Sequence, residues 1–184
     1  QDAQDDNQTG NREIIVTAQR RAESVQSVPI TIAAFDAKMV EASGNANITD
    51  LNGATPNVIL QTEGLVANVP MFSIRGMSSS DPDPNADPKI STIIDGVYVP
   101  FVASTMLDLF DIERVEVLKG PQGVLFGKNN LAGTVNIVTK APAKDLGGEV
   151  RLTAGSFGLK QVRGRLDTGE FGDGVFAAKF SGNY

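Results

Sequence analysis

Three textures follow one another along the chain. Residues 1–12 hold almost no aliphatic side chains, so nothing there offsets the entropy of ordering, and the stretch reads as disordered. Next comes an apolar island, Glu13, Ile14, Ile15, Val16, Thr17 and Ala18, bounded on its far side by the charged, Gln- and Ser-rich residues 19–27. Its β-branched side chains favour an extended backbone, yet it has no local partner. Two readings stay open: an edge strand docked on the body of the same chain, or an extended peptide offered to another protein's sheet edge.

Residues 28–143 mix periods. Alternation predicts strands over 29–35, 71–75, 92–95, 97–99, 114–118 and 134–139. A short helix is expected over 36–43, with Asp36 at its N-cap and Gly44 to end it. A helical turn over 48–52 and a helix over 103–110 complete the set. Strands mixed with short helices, without a repeated βαβ period, indicate an α+β fold: a small mixed sheet with short helices and long loops. Three prolines in 78–88 rule out regular structure there. Asp81, Asp83, Asn85 and Asp87 alternate like oxygen ligands for calcium, but the glycine and closing glutamate of an EF-hand loop are missing. A solvated loop is the better reading.

From residue 149 the period becomes two. Val150, Leu152 and Ala154 share a face opposite Glu149, Arg151 and Thr153, and 161–167 and 176–184 repeat the scheme. This fits an antiparallel sheet with one wet face. It also fits strands of a transmembrane barrel, apolar toward lipid and polar toward the lumen. Pattern alone favours the soluble sheet. The alternation is still running at Tyr184, as in a strand cut short.

Composition narrows the chemistry. The 184 residues carry a net charge of −6, which argues against nucleic acid. With no His and no Cys, a Ser-His-Asp triad, a thiolate nucleophile, a His/Cys zinc site and a disulfide are all excluded. No catalytic constellation, metal site or cofactor is expected, and the chain does not read as an enzyme. No apolar run approaches the roughly 18–20 residues of a membrane helix. The polar, acidic start is unlike a signal peptide.

The glycine-rich run 119–129 resembles a phosphate-binding loop only superficially. That motif needs glycine where Gln122 stands and Ser or Thr where Asn129 stands. Arg75 and Lys119 each end an apolar strand beside a glycine. They are either solvated strand termini or cations that meet carboxylates on a separate element.

The long run 111–140, DIERVEVLKGPQGVLFGKNNLAGTVNIVTK, resembles the plug signature of TonB-dependent outer-membrane receptors. FSIRGM at 72–77 and IDGVYVP at 94–100 occur in the family's order, and Glu13 through Ala18 resemble a TonB box at the expected place upstream. The resemblance implies a flexible segment over 1–23 carrying the box at 13–18, a plug over 24–143, and the first strands of an incomplete β-barrel over 144–184. It implies TonB, with its ExbB–ExbD motor, as partner of the box, and an outer-membrane protein of a Gram-negative cell with its tail in the periplasm. Lipid would surround the complete barrel. The ligand would be a small molecule, most often a ferric siderophore, with cobalamin, haem and saccharides as alternatives. Plug loops facing it would include Met77, Ser78, Ser79, Asp81, Asp83, Asp87, Pro100 and Phe101. The acidic character of the first loop argues weakly against a strongly anionic ligand. Arg75 and Lys119 would form ion pairs between plug and barrel. The family often has arginine where Lys119 stands, and lysine keeps the charge but loses the planar fork. The rival is a secreted or periplasmic β-rich recognition domain that transports nothing. No signalling domain precedes the box, so uptake without relay to transcription is expected.

Overall fold

A computed structural model describes residues 15–17, 23–24, 26, 30–37, 39, 48–62, 70–78, 87–99, 111–127, 129–158, 160–172 and 174–183. The expected helix over 103–110 lies outside them. Of the helix expected over 36–43, Ala37 and Met39 are helical, and Met39 N donates to Asp36 Oδ1 at 2.7 Å, the capping bond expected of Asp36.

The central sheet takes β3 (Thr31–Asp36), β7 (Ile90–Ile94), β8 (Val97–Val99), β9 (Ile112–Lys119) and β10 (Gly133–Thr139), in the order β3-β9-β10-β7-β8. Only β10 and β7 run parallel; the other neighbours are antiparallel. A meander of β4 (Val58–Thr62), β5 (Pro70–Ile74) and β6 (Met77–Ser78) forms a second sheet, preceded by a 3-10 turn at Ile48–Leu51. β4 has no counterpart among the expected strands. Its three consecutive apolar residues are too few to show a period, and only the pairing with β5 declares it. Once paired, Val58 and Leu60 turn inward while Ile59 is exposed.

Register sorts the central strands into two faces. Phe35, Val115 and Ile137 make one row, and Ala33, Val117 and Val135 the next. They pack with Ile48, Leu51, Leu60, Phe72 and Ile74 into the main core. The opposite face carries Ile32, Leu118 and Thr134, then Ala34, Glu116 and Asn136. Because β9 is buried on both faces, something must cover the second one.

Gly133 marks a close approach of β10 to β9 and to β5. A Cβ there would lie 2.3 Å from the Leu118 carbonyl oxygen and 2.9 Å from Ile74 Cδ1.

The last three strands, β11 (Leu146–Ala154), β12 (Lys160–Phe171) and β13 (Phe176–Asn183), form an antiparallel sheet. β12 runs on past the alternation of 161–167 to Phe171, because a register irregularity between Asp167 and Glu170 absorbs Gly169 at φ +72°. This sheet is inside out by the standards of water. Leu146, Val150, Leu152, Leu166, Phe176 and Phe180 are exposed, whereas Arg163 and Asp167 on the other face are buried. That arrangement suits lipid outside and a polar interior.

Candidate functional site

The apolar island covers the second face of the central sheet. β1 (Ile15–Val16) pairs antiparallel with β2 (Glu23–Ser24), Ile15 opposite Ser24 and Val16 opposite Glu23. Val16 is fully buried and clusters with Leu118, with Ile30, Ile32, Ala34 and Phe126 around them. Ile15, one residue earlier, is 54% exposed. This is the alternation of a strand with one face down. Of the two readings open from sequence, docking on the same chain is realised for these residues. Glu13, Ile14 and Ala18 lie outside the described residues.

A buried carboxylate fastens the end of this strand. Glu116 is fully buried, and its Oε1 accepts from the Thr17 backbone N–H at 2.8 Å, the Thr17 hydroxyl at 3.2 Å and Arg114 Nε at 2.8 Å. Its Oε2 accepts from Asn136 Nδ2 at 3.0 Å. Arg114 Nη2 donates in turn to Thr17 Oγ1 at 3.0 Å. A buried charge needs such satisfaction, and Thr17 at the end of β1 supplies part of it. Nothing in the sequence marks Glu116, since an acid inside an apolar strand shows no sign of the segment it will hold about a hundred residues away.

Arg75 and Lys119 are brought to one place. Arg75 adopts φ +53° ahead of Gly76 at +80°, both left-handed, as a two-residue hairpin turn requires. Asn or Asp adopts that first position more readily, so an arginine held there points to a use for its side chain. Its backbone N–H donates to the Asn57 carbonyl at 2.9 Å, and its guanidinium lies beside Gly120. Lys119 Nζ donates to Thr55 Oγ1 at 3.0 Å and the Pro56 carbonyl at 2.8 Å. The Lys119 ammonium is therefore held at Thr55 and Pro56, while Arg75 touches the same segment through its backbone and turns its guanidinium to Gly120.

Of the expected loop residues, Met77 and Ser78 form the half-buried β6, and Asp87 is exposed. Ser79, Asp81, Asp83, Pro100 and Phe101 lie outside the described residues. Asn129, at φ +67°, donates through Nδ2 to Asp87 Oδ1 at 3.0 Å and to the Tyr98 hydroxyl at 2.8 Å. It follows the one-turn helix α1 (Gly123–Phe126). One amide thus joins the exit of the first loop to the strand that leads into the second. Among the described residues, no cluster of acids suits a metal ion.

The polar face of the last sheet meets the central unit. Lys179 Nζ pairs with Asp111 Oδ2 at 2.7 Å and also bonds the Lys140 carbonyl. Asp167 Oδ1 accepts from Ala143 N at 3.0 Å, and Glu170 N donates to the Lys144 carbonyl at 2.7 Å.

Known proteins share this architecture. The family model for the TonB-dependent receptor plug domain matches residues 24–134. The chain is 26% identical to the vitamin B12 transporter of Vibrio vulnificus over 156 residues, covering 83% of this chain and 24% of that protein. It is 26% identical to the ferrichrome outer membrane transporter and phage receptor of Escherichia coli, covering 86% and 21%. Among solved structures, the ferric yersiniabactin uptake receptor of Yersinia pestis superposes with a TM-score of 0.74 at 25% identity, covering 88% of this chain and 25% of that one. The chain spans about a fifth to a quarter of the length of these relatives. With a plug sheet capped by its own apolar tether and three inside-out strands following it, the chain belongs to the TonB-dependent receptors, as their plug domain and first barrel strands.

Proposed function

We propose that the complete receptor takes up a scarce small molecule across the Gram-negative outer membrane, gated by TonB drawing on the box from the periplasm. A ferric siderophore is the favoured cargo. Relatives named for ferrichrome, ferrioxamine B and ferripyoverdine support that choice, and one named for vitamin B12 marks the alternative. The observation that carries the reading is the docked tether. Ile15 and Val16 form a strand held by one short partner strand, one buried side chain and the Thr17 fastening. Such a segment can leave the sheet and add to another protein's sheet edge through the same backbone groups. The ExbB–ExbD motor would supply the pull, since the outer membrane has no nucleotide or ion gradient of its own. The exposed apolar face of β11–β13 supports lipid as its surroundings and speaks against a water-soluble recognition domain.

Ligand contact is assigned to Met77, Ser78, Ser79, Asp81, Asp83, Asp87, Pro100 and Phe101, and barrel carboxylates to Arg75 and Lys119. Replacing Ile15 by proline removes a backbone donor and distorts the strand. Uptake of labelled ferric siderophore by cells carrying the full receptor is expected to fall to background, while ligand binding at the cell surface persists. Undiminished uptake would reject the coupling role.

Asn129→Ala should loosen the two loop bases together. Ligand dissociation from the purified receptor is expected to accelerate several-fold, with the unfolding midpoint lowered by only a few degrees, as suits the loss of one exposed and one half-buried hydrogen bond worth about 1 kcal/mol each. An unchanged dissociation rate would confine Asn129 to a local turn.

A further inference from the structure

Tension entering at Thr17 is delivered to β9, because the tether is fastened to Glu116 and Arg114 on that strand. The same strand is held at its beginning by a different element. Asp111, the residue before β9, pairs with Lys179 of β13, and both side chains are largely buried, at 17% and 12% exposure. Lys179 also bonds the Lys140 carbonyl, and Lys140 N donates back to the Asp111 carbonyl at 3.0 Å, so the end of β10 is drawn into the same knot. The bonds from Ala143 to Asp167 and from Glu170 to Lys144 follow within a few residues. These contacts between barrel strands and plug lie together at one end of the β9–β10 pair. Asp111 Oδ1 is buried without a hydrogen-bond partner. A carboxylate in that position depends on its cation, since the rest of its surroundings do not satisfy it.

We propose that the Asp111–Lys179 pair anchors the β9–β10 hairpin to the barrel wall, so that chain stripped from the plug by inward tension is arrested at Asp111. The inference rests on the reading of the tether as a pulled element, and it adds where the pulling stops. The polarity is opposite to that expected of Arg75 and Lys119: here the wall supplies the cation and the plug the acid. A plug held in this way opens by loss of its N-terminal portion while β9 and β10 stay on the wall.

Force spectroscopy on the complete receptor in a lipid bilayer tests this directly. The tether is pulled through a cysteine placed at position 2, and the released length is read from successive rupture events. Counted from the rupture at Thr17, the roughly 94 residues from Thr17 to Asp111 extend to about 34 nm, and the next 32 to Ala143 add about 11 nm. A force peak near 34 nm is expected in the native receptor. In Asp111→Lys the peak should vanish and extension run on toward 45 nm. The double variant Asp111→Lys/Lys179→Asp should restore it, which separates the ion pair from a general folding defect. The same peak in Asp111→Lys, or a native trace running through 34 nm without arrest, overturns the anchor. So does a double variant that fails to recover the peak. The instrument supplies the force, so failure here would leave the TonB reading standing. Loss of that reading in the Ile15→Pro uptake assay would equally leave this result intact.

Discussion

Replacing Glu116 by alanine is expected to destabilise the plug by about 3–5 kcal/mol, the range found when one partner of a buried ion pair is removed. The substitution strands Arg114 Nε, Asn136 Nδ2 and the Thr17 backbone N–H at once, each of which donates to this carboxylate. Burial of the group is complete, so solvent cannot take its place without opening the sheet. Urea unfolding should show a lower midpoint, and limited proteolysis should cut between residues 17 and 30 sooner than in the native protein. Glu116→Gln separates charge from packing. The amide keeps the volume but must turn an NH2 toward either Arg114 or Asn136, both donors. Its tether should therefore be released nearly as fast, with a smaller loss of global stability. A Glu116→Ala protein whose proteolytic pattern matches the native one would show that the carboxylate does not hold the tether.

Gly133→Ala should be the second large effect. The added Cβ would sit 2.3 Å from a backbone oxygen on β9, and a main chain paired on both sides cannot swing away as a flexible side chain would. Overpacking of this kind costs about 1–3 kcal/mol and sometimes more. The upper end is expected here, because Ile74 Cδ1 blocks the other direction. The change should appear as a lower thermal midpoint for the plug, with the barrel transition unmoved. Gly164→Ala, which adds its methyl into open space, serves as the comparison and should shift little. Equal midpoints for Gly133→Ala and the native chain would mean that the sheet yields at this contact.

How much of this was legible beforehand depended on whether the information was local. The strands at 114–118 and 134–139 announced themselves by alternation and were found within two residues of their observed ends. The helical turn at Ile48–Leu51 was equally clear. β4 was not, because its evidence is its partner rather than its own period. The apolar island stands out in the sequence as an isolated segment, yet the sequence does not say whether it docks at home or abroad. That depends on Leu118 and Glu116, which are distant in sequence and ordinary in type. Lys179 and Asp111 are invisible in the sequence for the same reason: each is one charge among many until the packing of the last sheet on the central one brings them together. The alternation from residue 149 onward is plain in the sequence, but only exposure shows which face is turned away from the protein.

The distance between the fastening at Thr17 and the first residue of β3 at Thr31 carries a last consequence. Those fourteen residues, drawn straight, reach about 5 nm. On the proposed reading, a puller that frees Thr17 would still have to draw out this length of chain, with β2 and the packed Ile30 in it, before Thr31 feels its load. Capture of the box and dismantling of the plug would then be separate events in time, and a puller with a shorter stroke would hold the box without opening the gate.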